Sequence, residues 1–124
     1  MTLLLDTHTL LWWLAGERLE GEASERIADR STLVAVSAAS IWESAIKSAV
    51  GKLDVPEPLG RAAMEEGFAP LHVTFDHAEL AGRLPKHHRD PFDRMLVAQA
   101  QTEGLAIVTR DPAFDAYDVE VLTC

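Results

Sequence analysis

Short apolar runs alternate with longer stretches of helical periodicity along the whole chain. Four runs predict buried strands, at Thr2–Leu5, Thr32–Val36, Leu71–Val73 and Leu105–Thr109, with a possible short fifth at Val119–Leu122. Helices are predicted between them, over His8–Ala15, Ala23–Arg30, Ala39–Val50, Leu59–Glu66, His77–Leu84 and from Asp90-Pro91 to about Glu103. Strands that alternate with helices indicate β-α-β units and a mostly parallel sheet with helices on both faces.

The predicted helix ends carry local signals. Glycines follow four of the helices, at Gly16, Gly51, Gly67 and Gly104. Asp76 is expected to cap the helix that begins at His77. Asp90 followed by Pro91 is typical of an N-cap acid with proline at the first helical position, so a helix is predicted to begin there.

The length of 124 residues suits one domain with one core, over residues 1–124. The single cysteine, Cys124, excludes a disulfide framework and a cysteine metal site, so we expect a reducing cytoplasm as the location. The uninterrupted apolar stretch Leu10–Ala15 is far shorter than the about 20 residues that span a bilayer. No basic segment precedes it, so neither a signal peptide nor a membrane helix is predicted.

The net charge is −9, from 11 basic and 20 acidic residues. Such a balance argues against broad, non-specific binding of nucleic acid, which needs a basic surface. The negative net charge does not exclude a nuclease, because a cluster of acids at a metal site would itself increase the number of acidic residues.

Two acids stand at the ends of predicted strands. Asp6 closes the first strand and Asp111 follows the fourth. In open α/β sheets, ligands bind just outside the carboxyl ends of the strands. Both acids are therefore expected at the edge of the sheet where this fold class holds its chemistry.

Two further acids, Glu43 and Asp93, lie near the starts of predicted helices and on their apolar faces. Apolar residues share each face at helical spacing: Ala39, Ile46 and Val50 beside Glu43, and Leu96, Val97 and Ala100 beside Asp93. Both side chains are thus expected to point inward. Burying a carboxylate without a partner is costly, so each should meet a cation or a hydrogen-bond donor.

The four acids are expected to converge, since strand ends and the starts of the following helices share one edge of a parallel sheet. Carboxylates crowded together repel and raise each other's pKa, and a divalent cation removes that penalty. Oxygen ligands with no cysteine or paired histidine nearby favour Mg²⁺ or Mn²⁺ over zinc. One or two such ions could activate a water and stabilise charge on a phosphoryl oxygen.

Four segments in fixed order span nearly the whole chain: LLLDTHTLLW, VSAASIWE, HRDPFDRMLVAQA and LAIVTRDPAFDAY. In these segments the chain resembles the PIN-domain ribonucleases, in particular the VapC-type toxins of bacterial toxin–antitoxin pairs. Each segment by itself has low specificity for the family, and HRDPFDRMLVAQA is the most specific of the four. The resemblance implies a three-layer α/β/α sandwich with a mostly parallel sheet of four to five strands, and the activity of a metal-dependent endoribonuclease.

The resemblance also implies roles for single residues. The family's first strand-end acid falls on Asp6, its helix acid on Glu43, its third acid on Asp93 and its fourth on Asp111, with Asp115 as a nearby alternative for the fourth. The first three are the implied catalytic residues, and all four are the implied ligands of Mg²⁺ or Mn²⁺. A water activated by the metal would attack the phosphorus in line and leave a 5′-phosphate and a 3′-hydroxyl. The implied partners are an RNA substrate, a cognate antitoxin protein and a second copy in a homodimer.

Each acid also has a purely structural interpretation. Asp6 could be a turn acid that bonds its own backbone. Glu43 could form a buried ion pair with Lys47, four residues on. Asp93 could favour the helix dipole without any metal, and Asp90 is assigned mainly to capping, with a minor metal role left open.

Asp111-Pro112 could equally be a helix N-cap with proline behind it. The adjacent pair His87-His88 is interpreted as part of a solvated loop, since neighbouring residues rarely chelate one ion well. His8 is expected at the surface near a helix start.

Basic residues gather in the last third of the chain: Arg83, Lys86, Arg89, Arg94 and Arg110. Such a cluster is either a solvated face or a surface that holds RNA phosphates, and Arg94 beside Asp93 is the first candidate to reach phosphate. Three tryptophans are candidate interface residues. Trp12 and Trp13 are neighbours on one helix and cannot both face the core, and Trp42 has the same ambiguity between core and surface.

Two other classes of α/β protein use an acid after the first strand. A haloacid dehalogenase-type phosphohydrolase would use Asp6 as nucleophile, but it needs a second acid where His8 stands and a lysine in its later motif, which is not found in this sequence. A receiver-like signalling module would bind Mg²⁺ and accept phosphate on an acid, but it needs paired acids after the first strand. Both stay alternatives to the ribonuclease.

Overall fold

A single five-stranded parallel sheet forms the middle of the molecule. The computed structural model describes residues 2–87 and 90–124. The strands are β1 (Thr2–Leu5), β2 (Leu33–Ser37), β3 (Ala69–Leu71), β4 (Ala106–Thr109) and β5 (Glu120–Thr123), and their order across the sheet is β3-β2-β1-β4-β5. Every pairing is parallel. All five strands therefore end at the same edge.

In the described part of the chain, six α-helices connect the strands: α1 (Thr7–Leu14), α2 (Ala23–Ala28), α3 (Ala38–Ala49), α4 (Leu59–Glu65), α5 (Phe75–Arg83) and α6 (Pro91–Glu103). A short 3₁₀ helix, Pro112–Ala116, joins β4 to β5. α6 begins as predicted, with Asp90 accepting a hydrogen bond from the backbone N of Phe92 and Pro91 in the first turn. It ends at Gly104, whose φ of 69° is a left-handed conformation that glycine adopts without strain.

Alternate residues of each strand face opposite layers of helices. Leu3 and Leu5 of β1 pack in one buried cluster with residues of α1, α2 and α4. Leu4 faces the other side, in a cluster with Ile107 of β4 and Leu96 of α6. The sheet is thus covered on both faces, which is why its strands read as continuous apolar runs. The expected three-layer α/β/α sandwich with a parallel sheet is confirmed.

β1 lies at the point where the direction of chain travel across the sheet reverses. The chain moves from β1 outward through β2 to β3, then returns to the other side of β1 for β4 and β5. Leu5 pairs with Val36 of β2 and Val108 of β4, so the next residue, Asp6, stands between the ends of both neighbours. Such a reversal opens a crevice at the carboxyl ends of the strands, where α/β proteins bind ligands.

Two local predictions in the middle of the chain are wrong. The third strand was expected at Leu71–Val73 and lies at Ala69–Leu71, because Ala69 and Leu71 pair with Ala35 and Ser37 of β2. The cap of α5 was expected at Asp76 and is Thr74. The Thr74 hydroxyl accepts from the backbone N of His77, and the His77 Nδ1 accepts from the backbone N of Thr74, so the two residues form a reciprocal capping box.

No helix within the described ranges is both long enough and apolar enough to span a bilayer. His88 and Arg89, which belong to the predicted basic loop, lie outside the described residues.

Candidate metal site

Asp6 is held at the end of β1 by donors on both of its carboxylate oxygens. Its side chain is buried, Oδ1 accepts from the backbone N of Thr9 over 2.8 Å, and Oδ2 accepts from Oγ1 of Thr109 over 2.6 Å. The first bond also caps α1, so the predicted turn role is present. The second bond reaches the end of β4, which local turn chemistry does not explain. Asp6 therefore has one fixed orientation in the crevice.

Asp111 and Asp6 both form a hydrogen bond with the hydroxyl of Thr109. The Thr109 hydroxyl accepts from the backbone N of Asp111 over 2.9 Å while it donates to Asp6. Oδ1 of Asp111 accepts from the backbone N of Ala113 over 2.9 Å and caps the 3₁₀ helix, as the structural interpretation of Asp111-Pro112 proposed. Asp115 lies on the same 3₁₀ helix and is exposed.

Glu43 is almost fully buried, with 2% of its surface exposed. Its Oε1 accepts from Oγ1 of Thr7 over 2.6 Å, and its Oε2 lies 2.7 Å from Nζ of Lys47. The ion pair weighed from the sequence is therefore present. Thr7 directly follows Asp6, so the same hydrogen bond brings Glu43 to the end of β1.

The buried face of α3 differs in part from the apolar face that was predicted for this helix. Ile46 and Val50 were expected to share the inward face of Glu43, but they are 40% and 63% exposed. The residues of α3 that are buried together with Glu43 are Ala39, Ser40 and Ser44. Ala39 and Glu43 thus lie on the inward face as predicted, whereas the prediction was wrong for Ile46 and Val50, and the inward face of α3 is largely polar.

Asp93 lies in the first turn of α6 and is half-buried above Leu96, Val97 and Ala100, all of which are buried as predicted. Its negative charge contributes to a raised pKa of Lys47 on α3. The pKa of Lys47 is raised above its ordinary value, first by the hydrogen bond to Glu43 and further by the charges of Glu43, Asp90 and Asp93, whereas burial acts in the opposite direction. The charges of an acid on α3 and of two acids at the start of α6 thus act on one ammonium group.

The oxygen donors of these four acids suit a hard divalent ion. Over residues 2–87 and 90–124, however, no three Asp, Glu, His or Cys side chains are grouped to hold a metal. Oε2 of Glu43 faces the ammonium of Lys47. One further oxygen is available beside it, because Oγ of Ser40 is buried without a hydrogen-bond partner in the described part of the chain. Carboxylate oxygens are the kind of ligand that Mg²⁺ or Mn²⁺ prefers, and the cation that contacts Glu43 in the structure is Lys47.

The sequence did not predict that three buried threonines, Thr7, Thr9 and Thr109, hold the acids in place. Thr7 and Thr109 orient the acids directly, and Thr9 donates its backbone N–H to Asp6 and its hydroxyl to the carbonyl oxygen of Val108. A signal was present, since each of them stands within three residues of a strand-end acid in the segments DTHT and TRD. A small hydroxyl beside such an acid is a ready donor.

Two basic side chains in the last third of the chain, Arg110 and His87, pack against aromatic rings. The guanidinium of Arg110 lies 4.0 Å from the ring centre of Trp12, and its Nε donates to the carbonyl oxygen of Cys124. His87 lies against the ring of Tyr117. Arg94, beside Asp93 on α6, is half-buried.

The three tryptophans differ in their exposure to solvent. Trp12 and Trp13 are half-buried, and both pack against the core cluster under α1. Trp42 is 64% exposed and lies edge-on to Phe92 of α6, with ring centres 5.4 Å apart. Of the three candidate interface residues, only Trp42 presents most of its ring to solvent.

The parallel α/β sheet has Asp6 at its reversal point, linked through Thr109 to Asp111 after β4. The model of the PIN domain family matches residues 3–120. Ribonuclease VapC22 of Mycobacterium tuberculosis (strain ATCC 25618 / H37Rv) is 32% identical over 114 residues, which cover 89% of this chain and 87% of the relative. The chain belongs to the PIN domain family.

Solved structures agree with this fold. A toxin–antitoxin complex from Klebsiella pneumoniae contains a chain that superposes with a TM-score of 0.70 at 24% identity, over 97% of this chain and 95% of that one. A chain of DNA-bound VapBC from Salmonella typhimurium superposes with a TM-score of 0.69 at 18% identity, over 99% and 98%.

Proposed function

We propose that the protein is a metal-dependent endoribonuclease and the toxin of a type II toxin–antitoxin pair. The observation that carries this proposal is the link from Asp6 through Thr109 to Asp111, in the crevice where the sheet order reverses. The relative from Mycobacterium tuberculosis, named a ribonuclease, supports the choice of RNA as substrate. Neither the phosphohydrolase nor the signalling module has comparable support.

Asp6, Glu43, Asp93 and Asp111 are the proposed ligands of Mg²⁺ or Mn²⁺, with Asp115 as the alternative fourth acid. When bound, such an ion acidifies a water and neutralises charge on the phosphoryl oxygens. The chain supplies orientation: the backbone N of Thr9 and Oγ1 of Thr109 fix Asp6, and Oγ1 of Thr7 fixes Glu43. Ligands held before the reaction need no costly rearrangement as it proceeds.

Basic residues near α6 are the proposed contacts for the RNA backbone. Arg94 stands next to Asp93, Arg83 is exposed at the end of α5, and Lys86 is exposed between α5 and α6. A phosphate between these cations and the acids would meet positive charge on one side and the divalent ion on the other. With a net charge of −9, the protein would bind RNA at this place and repel it elsewhere.

The test compares the wild type with Asp6→Asn and Asp54→Asn, the last being a control because Asp54 is an exposed loop residue. Each protein is incubated with structured RNA in the presence of Mn²⁺ or EDTA. We expect the wild type and the control to cut RNA with Mn²⁺ alone and to leave 5′-phosphates, and we expect Asp6→Asn to be inactive. Cleavage in EDTA, or by Asp6→Asn, would contradict the proposal, and a stable acyl phosphate on Asp6 would favour one of the two alternatives.

A protein partner is the second part of the proposal. The neighbours from Klebsiella pneumoniae and Salmonella typhimurium are titled as toxin–antitoxin and VapBC assemblies. In this chain, two apolar hollows of about 430 and 540 Å³ flank the exposed ring of Trp42. We propose a cognate antitoxin and a homodimer, in the cytoplasm, as the working form. Light scattering of the purified chain, alone and with the product of an adjacent small reading frame, tests both, and a monomer that binds no such product would contradict them.

A further inference from the structure

Tyr117 attaches the connection between α5 and α6 to the body of the molecule. It directly follows the 3₁₀ helix and is buried, with 7% of its surface exposed. Its hydroxyl donates to the carbonyl oxygen of Pro85 over 2.7 Å, and its ring lies edge-on to that of His87, with ring centres 5.2 Å apart. One buried side chain therefore holds two residues of this connection, although Tyr117 and Pro85 are 32 positions apart in the chain.

Lys86 stands between the two residues that Tyr117 holds, and it is exposed. The residue before Pro85, Leu84, packs against the same buried cluster to which Tyr117 belongs. The chain is thus attached on both sides of Lys86, by a hydrogen bond and apolar packing before it and by a ring contact after it. As a result, Lys86 is presented to solvent from a fixed stretch of backbone.

The charge of Lys86 is not neutralised within the molecule. In the described part of the chain no acid forms an ion pair with it, and the same holds for Arg83, which is exposed at the end of α5. A chain with a net charge of −9 repels RNA over much of its surface. Exposed cations that no acid neutralises are therefore groups available to an RNA phosphate.

The connection leads directly to the proposed site. Asp90, four residues after Lys86, caps α6, and Asp93 lies in the first turn of that helix. Four residues of backbone span at most about 14 Å, which limits the distance between the Cα atoms of Lys86 and Asp90. An RNA strand bound beside Asp93 is long enough to reach Lys86.

We propose that Tyr117 is a positioning residue for RNA, which holds Lys86 where its ammonium group contacts a phosphate of the RNA backbone. The inference rests on the function proposed above, because it requires RNA as the substrate. A connection that is already fixed avoids the loss of conformational entropy that a free loop would have on binding. Tyr117 therefore contributes to the affinity for RNA and not to the reaction at phosphorus.

The experiment measures RNA cleavage in Mn²⁺ at increasing RNA concentration, so that KM and kcat are obtained separately. Tyr117→Phe removes the hydroxyl that holds Pro85 and keeps the ring. Gln101→Met is the matched control, because it removes a side-chain hydrogen bond to the carbonyl oxygen of Asp118, the residue after Tyr117. Melting temperatures check that each variant is folded.

We expect Tyr117→Phe to raise KM about three- to ten-fold and to leave kcat unchanged. The reason is that a contact to the RNA backbone stabilises the bound substrate and the transition state equally, and a less ordered connection weakens both. Gln101→Met should change neither constant. A KM of Tyr117→Phe equal to that of the control, or a fall in kcat alone, would overturn the inference.

A double-mutant cycle tests whether Tyr117 acts through Lys86. Lys86→Met removes the charge, and Lys52→Met removes the same charge from an exposed lysine beyond the end of α3. We expect Lys86→Met to raise KM in the wild type and to add little in Tyr117→Phe, whereas Lys52→Met should change KM in neither. Independent effects of the two changes, or no effect of Lys86→Met, would overturn the inference. If Tyr117→Phe does not fold, His87→Leu takes its place in the cycle, since it removes the ring contact and keeps the hydroxyl bond.

The outcomes separate this inference from the proposed function. Wild-type protein that cuts RNA with Mn²⁺, together with an unchanged KM in Tyr117→Phe, would overturn only the role of Tyr117. Wild-type protein that does not cut RNA would overturn the proposed function, and the role of Tyr117 with it.

Discussion

Oγ1 of Thr109 donates a hydrogen bond to Oδ2 of Asp6 over 2.6 Å and thereby joins the ends of β1 and β4. The two residues are 103 positions apart in the chain. The same hydroxyl accepts from the backbone N of Asp111, so one buried atom sets the positions of two of the proposed metal ligands. Four predictions follow from this relationship and from its counterparts on α3 and α6.

Thr109→Val keeps the shape of the side chain and removes the hydroxyl. The Asp6 carboxylate and the backbone N of Asp111 then each lose a buried partner, so we expect a loss of about 1–3 kcal/mol in the free energy of unfolding, together with lower RNA cleavage. Thr109→Ser retains the hydroxyl and should recover most of both. Urea unfolding and a cleavage assay measure the two effects, and equal stability of Thr109→Val and wild type would contradict the role of this bond.

Thr7→Val removes the donor that ties Glu43 to α1. One oxygen of a buried carboxylate loses its partner, and we expect a destabilisation of about 1–3 kcal/mol by urea unfolding. Thr123→Val is the control, because Thr123 lies exposed on β5 and the same substitution there removes no bond to an acid. A similar small effect for both variants would mean that Thr7 does not hold Glu43.

Asp93→Asn should abolish metal-dependent cleavage and leave the fold intact. The amide has the size of the carboxylate but lacks the charge that a divalent ion requires, and we expect the rate to fall about 100-fold or more. Asp76→Asn makes the same change at an exposed position of α5 and should cut normally. Normal activity and normal metal dependence in Asp93→Asn would remove Asp93 from the site.

Asp90→Ala should mainly reduce stability. The Asp90 carboxylate accepts from the backbone N of Phe92 at the start of α6, and the loss of such a cap costs about 1 kcal/mol. We expect a lower melting temperature and cleavage that persists at a temperature where the variant is folded. An unchanged melting temperature with lost cleavage would show instead that Asp90 belongs to the metal site.

The sequence by itself determined the class of fold. Buried strands with continuous apolar runs and a helix that starts at Asp90-Pro91 can be recognised locally, because strand burial and capping depend on neighbouring residues. The acids at the ends of β1 and β4 could be predicted as well, since any parallel sheet brings its carboxyl strand ends to one edge.

The tertiary structure decided how the acids are held and by which partners. The apolar pattern of α3 correctly predicted that Ala39 and Glu43 face inward, but it placed Ile46 and Val50 on the same face, whereas the helix buries Ser40 and Ser44 instead. The reason is that Glu43 meets Thr7, which lies 36 residues away in the chain, and no local pattern contains that contact. The periodicity of a sequence predicts that a helix has a buried and an exposed face. Which face can hold a buried charge depends on the partners that the tertiary structure brings to that charge.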